Sequence, residues 1–461
     1  MFLHSRFVVV DDKKHHLKGI KETLDTLRLD CHSKLYEDET VGDWQPLPGT
    51  RILFLDLNLV TGATFATSGS KVAIAAIQDV IMKIICPDSG PYGLVLWAEE
   101  PNLDALKASL FERFTGEDAR YLPVFFAALQ KGDYIDTSDG TVKDAAKLQK
   151  DIQDRVTQSP QMKALLSWET DVSIAAGAVL RSIVDLVPLE KRTSGEFEKE
   201  LGEVLYRLSQ AGAGINRAEE NPRESINRVL VPILADRITE HDPQGETAIS
   251  WNESLVSPEN VHGQVPVPVK ASVNAAMHLS FARTQASVPI TPKELGAVVE
   301  LPEKTVDEFL QMYFGFDCSR FLEEVFRVTE DEWKDCSPRL VQIGAACDAA
   351  QPKPGPLLYL FAVEWPFANE DGLKKKGGDP KKNLAADSKR SLKELEWQSP
   401  VLNIWDTPQG ARISVFKNLS IGLRPDEAEK LKVVYRFREE LISQLTQDYA
   451  RYISRPGVVS L

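Results

Sequence analysis

The sequence predicts an α/β protein whose first domain, residues 1–140, is a doubly wound, five-stranded parallel sheet. Strand-like apolar runs alternate there with amphipathic helical stretches, and this alternation favours a parallel sheet with helices on both faces. With 461 residues the chain is too long for one ordinary core, so further domains should follow. We expect a helical segment over residues 141–250 and a mixed, β-rich α+β domain of small-barrel type over residues 251–461, ending in a long helix.

The first domain shows the alternation most clearly. Its successive segments are the strand RFVVVDD, the helix KKHHLKGIKETLDTLRL, the strands CHSKLYEDE and RILFLDLNL, the helix KVAIAAIQDVIMKIIC, the strand YGLVLWAEE, the helix NLDALKASLFERF and the strand LPVFFAAL. In the first helix Leu17, Ile20, Leu24 and Leu27 recur at helical spacing and define an apolar face. The run RILFLDLNL is continuously apolar, as expected of a parallel strand covered on both faces, and Asn102 is a good N-cap for the third helix.

The pattern changes after the fifth strand. Two long stretches, MKALLSWETDVSIAAGAVLRSIVDLV and FEKELGEVLYRLSQAGAGI, carry apolar faces at helical period. Beyond residue 250 the strand-like pieces are short and irregularly spaced: AMHLSF, GAVVEL, RLVQIGAAC, PLLYLFAVEW, VLNIW and ARISVF. The final helix is DEAEKLKVVYRFREELISQLTQDYARYI. This order indicates a helical middle and a separate β-rich domain.

Composition excludes several functional classes. The net charge of −14 disfavours nonspecific binding to nucleic acid or to an anionic membrane, because both reward a basic surface. Five scattered cysteines without a CxxC pair favour neither a disulfide framework nor a zinc site and fit a reducing compartment. The N-terminal apolar stretch is too short for a signal peptide, and no apolar run is long enough for a membrane span. The sequence therefore predicts a cytoplasmic protein.

Polar residues follow several strands of the predicted sheet. Asp11 and Asp12 end the first strand, Asp56 and then Asn58 end the third, and Lys131 follows the fifth. Because parallel strands present their carboxyl ends at one edge, these side chains should converge. Clustered carboxylates repel one another unless a cation receives their charge, and such oxygen ligands suit Mg²⁺. We therefore expect a magnesium site at this edge.

The motifs VVVDD and FLDLNL, with the lysine after strand five, resemble in their order those of a response-regulator receiver domain. The resemblance implies a flavodoxin-like sheet and phosphoryl transfer from a partner histidine kinase, or another phosphorelay protein, to Asp56. It implies that Asp11, Asp12, Asp56 and the backbone carbonyl of Asn58 hold Mg²⁺, and that Lys131 supplies a fixed positive charge. The protein would thus be a phosphoacceptor rather than a turnover enzyme.

The sequence departs from the receiver pattern at two places. Trp97, followed by Ala98, stands where receivers have a Ser or Thr at the end of strand four, so the usual hydroxyl-driven switch is not expected. The segment QKGDY lacks the Lys-Pro pair of the family. The alternative interpretation is a phosphorylation-independent pseudo-receiver that serves as a scaffold or protein-interaction module.

The whole chain is similar, through short motifs, to large receiver-containing proteins of bacterial anti-phage two-component systems. In these a helical segment and a β-rich domain with a Cys-Asp strand follow the receiver, and a C-terminal RPG is present. The similarity implies a partner kinase, an effector protein and a signalling or phosphate-buffering role.

Two other features allow competing interpretations. His15 and His16, near the acidic pair, are expected at the surface rather than as metal ligands. Cys347 and Asp348 could form a nucleophilic site, but no histidine lies close to them in sequence, and free cysteines are usually buried packing residues. We therefore expect Cys347 to be structural.

Overall fold

The structure of the protein is a computed structural model. It divides into two compact units, residues 1–177 with 237–257 and residues 178–236 with 258–461. The described residues are 6–26, 29–37, 39–60, 71–99, 102–156, 159–240, 251–256, 265–281, 289–302, 305–326, 330–344, 355–367, 395–404 and 410–454. Leu27, the Cys347–Asp348 pair, the lysine-rich stretch 374–390 and the RPG motif lie outside them.

The first unit contains the predicted five-stranded parallel sheet. Its strands are β1 (Phe7–Asp11), β2 (Cys31–Leu35), β3 (Ile52–Leu55), β4 (Gly93–Ala98) and β5 (Phe125–Gln130). The strand order is β2-β1-β3-β4-β5, and every neighbouring pair is parallel. This is the doubly wound order expected from the sequence, and it brings the carboxyl ends of β1, β3 and β5 to one edge.

Helices cover both faces of this sheet. They are α1 (Lys14–Thr26), α2 (Lys71–Ile84), α3 (Leu103–Arg113) and α4 (Ala145–Val156). Helices α2 and α3 pack on one face, whereas α1 and α4 pack on the other. The connection between β2 and β3 contains a short 3₁₀ turn, Val41–Asp43.

Local sequence explains where the first-unit helices form and pack. The expected apolar face of α1 is confirmed for Leu17, Ile20 and Leu24, which are all buried. Asn102 caps α3 by accepting a hydrogen bond from the backbone N–H of Ala105 at 3.2 Å. Helix α4 begins after residue 140 yet packs into the same core as α1, so the helical cover of the sheet extends past the predicted domain boundary.

A helical region follows, as the sequence predicts. It comprises α5 (Pro160–Asp185), α6 (Leu189–Thr193), α7 (Phe197–Ala213), α8 (Ile215–Glu220) and α9 (Pro222–Glu240). Within the first unit, Glu169 of α5 forms a bidentate ion pair with Arg51, with both nitrogen–oxygen distances at 2.9 Å. None of the described helices is both long enough and apolar enough to cross a membrane.

The second unit contains a seven-stranded sheet whose paired strands are antiparallel. Its strands are β6 (Leu279–Ser280), β7 (Ala297–Val299), β8 (Ser337–Gln342), β9 (Leu357–Pro366), β10 (Glu396–Gln398), β11 (Ala411–Leu423) and β12 (Val433–Phe437). The order is β10-β11-β9-β8-β7-β12-β6. The longer helices of this part are α10 (Val267–His278), α11 (Val306–Phe314) and α12 (Glu439–Ile453). The single final helix predicted over residues 426–453 is wrong in its first half, because residues 433–437 form β12 and the long helix begins only at Glu439.

A buried polar group shows that this sheet curls. Tyr435 on β12 donates its hydroxyl to Glu364 on β9 at 2.7 Å, although two strands separate β12 from β9. Arg339 on β8 pairs with the other carboxylate oxygen of Glu364 at 3.0 Å. Glu364 is fully buried, and these two contacts help to stabilise its carboxylate there.

Candidate functional site

Three of the predicted site residues converge at the carboxyl edge of the parallel sheet. Asp11 is the last residue of β1, Asp56 directly follows β3, and Lys131 directly follows β5. Their side chains are almost completely buried, with exposures of 0% for Asp11, 5% for Asp56 and 1% for Lys131. The alternation of strands and helices thus brings together charges that are 45 to 120 positions apart in the chain.

Lys131 is the electrostatic centre of this cluster. Its Nζ lies 2.6 Å from Asp11 Oδ2 and 2.7 Å from Asp56 Oδ2, so one ammonium group is shared by two carboxylates. A third neighbour is His16, whose Nδ1 lies 3.2 Å from the same nitrogen. The contacts with Asp56 and His16 have hydrogen-bond geometry, whereas the contact with Asp11 Oδ2 is an ion pair.

The expectation that both histidines lie at the surface is wrong for His16. Its side chain is fully buried, whereas His15 is half-buried. Nε2 of each ring lies within hydrogen-bond distance of the carbonyl oxygen of Thr137, at 3.2 Å for His15 and 3.1 Å for His16. His16 is buried because the segment after β5 folds back over the beginning of α1.

These contacts set the donor and acceptor roles of the two His16 ring nitrogens. The Thr137 carbonyl oxygen can only accept, so Nε2 is the donor to it. Nδ1 lies 3.2 Å from Lys131 Nζ, which can only donate, and 3.4 Å from Asp11 Oδ1. We therefore assign Nδ1 as the acceptor from Lys131.

Asp12 completes a group of carboxylates that could hold a metal ion. One oxygen from each of Asp11, Asp12 and Asp56 lies within 4.8 Å of the others. Asp12 Oδ1 is buried and has no hydrogen-bond partner among the described residues. An oxygen in that position is costly without a donor or a cation, and hard oxygen ligands suit a divalent cation such as Mg²⁺. The donor set therefore fits the predicted ion.

The pKa values of the three carboxyl groups diverge. Burial, together with the neighbouring charges of Asp11 and Asp56, raises the pKa of Asp12 to about 6. Burial also raises the pKa of Asp56, although the Lys131 ammonium opposes this effect. For Asp11 the effect of burial is outweighed by the neighbouring His16 ring, by the Lys131 ammonium and by the Lys13 backbone N–H at 2.9 Å, so its pKa is lowered. The cluster thus contains more carboxylate charge than Lys131 alone neutralises.

The remaining predicted residues lie next to the cluster. The backbone N–H of Asn58 points to Asp56 Oδ1 at 3.4 Å, and the part played by its carbonyl oxygen stays a prediction. Trp97 near the end of β4 is fully buried, and its ring stacks on Tyr134 at a centroid distance of 5.9 Å. At the rim of the site, Glu99 pairs with Lys13 at 3.7 Å.

Sequence reasoning missed His16 and Thr137. A signal for His16 exists, because it precedes the buried residues Ile20 and Thr23 by four and seven positions and so lies on the same helical stripe. No comparable signal exists for Thr137, whose contact with His16 spans 121 positions and depends on the path of a loop.

Comparison with protein-family models, curated proteins and solved structures finds no match for this chain. The functional argument therefore depends on the geometry of the site.

Proposed function

We propose that this protein is a divergent receiver that accepts a phosphoryl group on Asp56 in the presence of Mg²⁺. The observation that carries the proposal is the convergence of Asp11, Asp12 and Asp56 with a buried lysine at the carboxyl edge of a parallel sheet ordered β2-β1-β3-β4-β5. The phosphoryl donor would be a phosphohistidine on a partner kinase or phosphorelay protein. The cytoplasmic location, the effector partner and the anti-phage role inferred from the sequence are part of this proposal.

The proposed chemistry requires a carboxylate nucleophile, and we assign this role to Asp56. A carboxylate oxygen of Asp56 forms the new bond to phosphorus. The bond between phosphorus and the donor's imidazole nitrogen breaks, and that nitrogen keeps the electron pair and takes up a proton. An ionised Asp56 needs no general base, and the Lys131 ammonium at 2.7 Å favours this form.

The other residues of the cluster would compensate the negative charge of the phosphoryl group. A Mg²⁺ ion held by Asp11, Asp12 and Asp56, with the carbonyl of Asn58, would neutralise phosphoryl oxygens. Lys131 is buried and fixed by three contacts, so its ammonium is already in position when negative charge develops near Asp56. Preorganised charges of this kind are the main source of catalysis in phosphoryl transfer.

The test uses the full chain with beryllofluoride, a mimic of an aspartyl phosphate, and with acetyl phosphate as a small-molecule donor. We expect beryllofluoride to raise the midpoint temperature of thermal unfolding of the wild type only when Mg²⁺ is present. Acetyl phosphate should give a slower band on a phosphate-affinity gel, which retards phosphorylated protein. Asp56→Asn should lose both effects. Asp133→Asn is the matched control, because Asp133 lies near Lys131 in sequence but its side chain is half exposed.

The second candidate function is the pseudo-receiver scaffold. The buried Trp97 favours it, because this position has no hydroxyl to follow the phosphoryl group. A wild-type protein that shows neither a beryllofluoride effect nor labelling, and whose partner binding survives in Asp56→Asn, would select the scaffold and refute phosphoacceptance.

A further inference from the structure

The segment after β5 forms a hairpin that is built onto the site. We name residues 134–143 the site hairpin. Its two strands meet at an antiparallel bridge between Ile135 and Val142, and the N–H of Asp136 donates to the carbonyl of Thr141 at 2.8 Å. The N–H of Gly140 donates to the carbonyl of Asp136 at 2.7 Å and closes the turn.

The site hairpin lies directly against the backbone of α1. Gly140 has a φ of +77°, and a Cβ at this position would lie 2.2 Å from the carbonyl oxygen of His15. A Cβ on Gly19 would lie 2.6 Å from the carbonyl oxygen of Gly140. Two glycines thus allow a close approach of the two backbones. Because the contact is tightly packed, small movements of α1 or of its side chains will displace the hairpin.

Two side-chain contacts join the site hairpin to neighbouring elements, one to the acidic cluster through His16 and one to β4 through Trp97. His16 accepts from Lys131 through Nδ1 and donates to Thr137 through Nε2, so one rigid ring bridges the shared ammonium and the hairpin backbone. At the other end of the hairpin, the Tyr134 ring stacks on Trp97. Trp97 itself has no hydroxyl that could follow a phosphoryl group.

We propose that His16 is a positioning residue for Lys131 and that it makes the site hairpin the element that responds to phosphorylation. This inference rests on the proposed function. Once Asp56 carries a phosphoryl group, the added oxygens present more negative charge to Lys131 than the original carboxylate did. The ammonium has only three N–H donors, and the longest of its three contacts is the 3.2 Å one to His16 Nδ1.

The loss of that contact has a direct consequence. Nδ1 of a fully buried ring becomes an acceptor without a donor, and such an atom is strongly unfavourable. The ring relieves this by reorienting, and because it is rigid, its Nε2 hydrogen bond to Thr137 breaks at the same time. The site hairpin then loses one of its attachments to α1.

Hydrogen–deuterium exchange of peptides covering residues 134–143 tests this directly. In the wild type, beryllofluoride with Mg²⁺ should accelerate exchange of the hairpin amides by about 2- to 10-fold, the change expected for loss of one hydrogen bond. Peptides from β9 in the other unit should be unchanged and serve as the internal control.

Two His16 variants separate the two contacts. His16→Asn places a short amide near the position of Nδ1 and cannot reach Thr137, so its hairpin should exchange quickly even without ligand. His16→Gln can still donate to Thr137 but has no acceptor at the Nδ1 position, so its hairpin should stay protected with and without ligand. Circular dichroism checks that both variants fold.

The outcomes distinguish this inference from the proposed function. If the wild type binds beryllofluoride with Mg²⁺ but hairpin exchange does not change, the inference fails and the proposed function stands. If the wild type shows no binding, both fail. A hairpin response of wild-type size in both His16 variants would also overturn the role of His16.

Discussion

Replacing Lys131 with methionine tests the electrostatic reading of the site. Lys131 Nζ contacts two carboxylates at 2.6 and 2.7 Å, and all three side chains are at least nine-tenths buried. Methionine keeps the length and apolar stem of lysine but leaves Asp11 and Asp56 without a counter-charge. Breaking a buried ion pair by removing one partner typically costs about 3–5 kcal/mol. We expect a loss of this size in the free energy of unfolding of the first unit, measured without divalent cations.

Magnesium should restore part of the loss. A cation that binds only the folded state stabilises it by about 2.7 kcal/mol at one hundred times its dissociation constant. The variant lacks the competing ammonium, so its Mg²⁺ affinity should be at least tenfold higher than in the wild type. The stabilisation gained from Mg²⁺ should therefore be larger in Lys131→Met than in the wild type, by about 1.4 kcal/mol or more.

The assay must follow each unit by itself, because a chain with two compact units need not unfold in one step. Urea-dependent hydrogen exchange of β3 reports on the first unit, and that of β9 reports on the second. Lys417→Met is the matched control: Lys417 is 2% exposed and pairs with Asp448 at 2.6 Å in the second unit. This control should lose stability without recovery by Mg²⁺. An equal Mg²⁺ gain in Lys131→Met and wild type, or no loss of stability, would refute the reasoning.

Three further predictions follow from single contacts. Because the pKa of Asp12 is raised to about 6, Mg²⁺ affinity measured by calorimetry should fall about tenfold per pH unit below pH 6. Without metal, the folded state binds this proton more tightly than the unfolded chain does. The free energy of unfolding should therefore decrease as the pH rises from about 4 through about 6. Gly140 has a positive φ, and a Cβ there would lie 2.2 Å from a carbonyl oxygen of α1. Gly140→Ala should therefore lower the free energy of urea unfolding of the first unit by at least ~2 kcal/mol. Gly132→Ala is the control and should be nearly neutral, because a Cβ at this position would meet open space. Tyr435→Phe removes the hydroxyl that donates to the buried Glu364. The free energy of unfolding of the second unit, measured by urea-dependent hydrogen exchange of β9, should fall by about 1–3 kcal/mol. An unchanged urea midpoint would show that the hydrogen bond does not contribute to stability.

Sequence reasoning predicted the acidic cluster because its members end strands. Parallel strands have their carboxyl ends on one edge, so Asp11, Asp56 and Lys131 could be placed together from the order of strands alone. The same reasoning predicted the position of Lys131, although the proline that follows this lysine in receivers is missing here. The position of a residue at a strand end can be predicted from the type and direction of each element alone. In the first domain the sequence pattern indicates both.

Sequence reasoning failed where a contact depends on the path of a loop. His16 was expected at the surface because histidine is polar, although its spacing to Ile20 and Thr23 was already that of a buried stripe. Its partner Thr137 belongs to a hairpin whose position on α1 depends on the left-handed backbone of Gly140 and the lack of a side chain at Gly19. Such a fit between two glycines far apart in the chain has no local signature.

One imbalance of charge accounts for the separate properties of the site. Three ionised carboxylates and one ammonium carry a formal charge of −2. In a buried position this excess is unfavourable, and it is relieved when Asp12 takes up a proton, which its raised pKa reflects, or when a divalent cation binds. Proton and metal therefore compete for the same oxygens, and Lys131 alone cannot satisfy them. A site that simply stabilised the fold would have balanced its charges, as Glu364 does with Arg339 in the second unit.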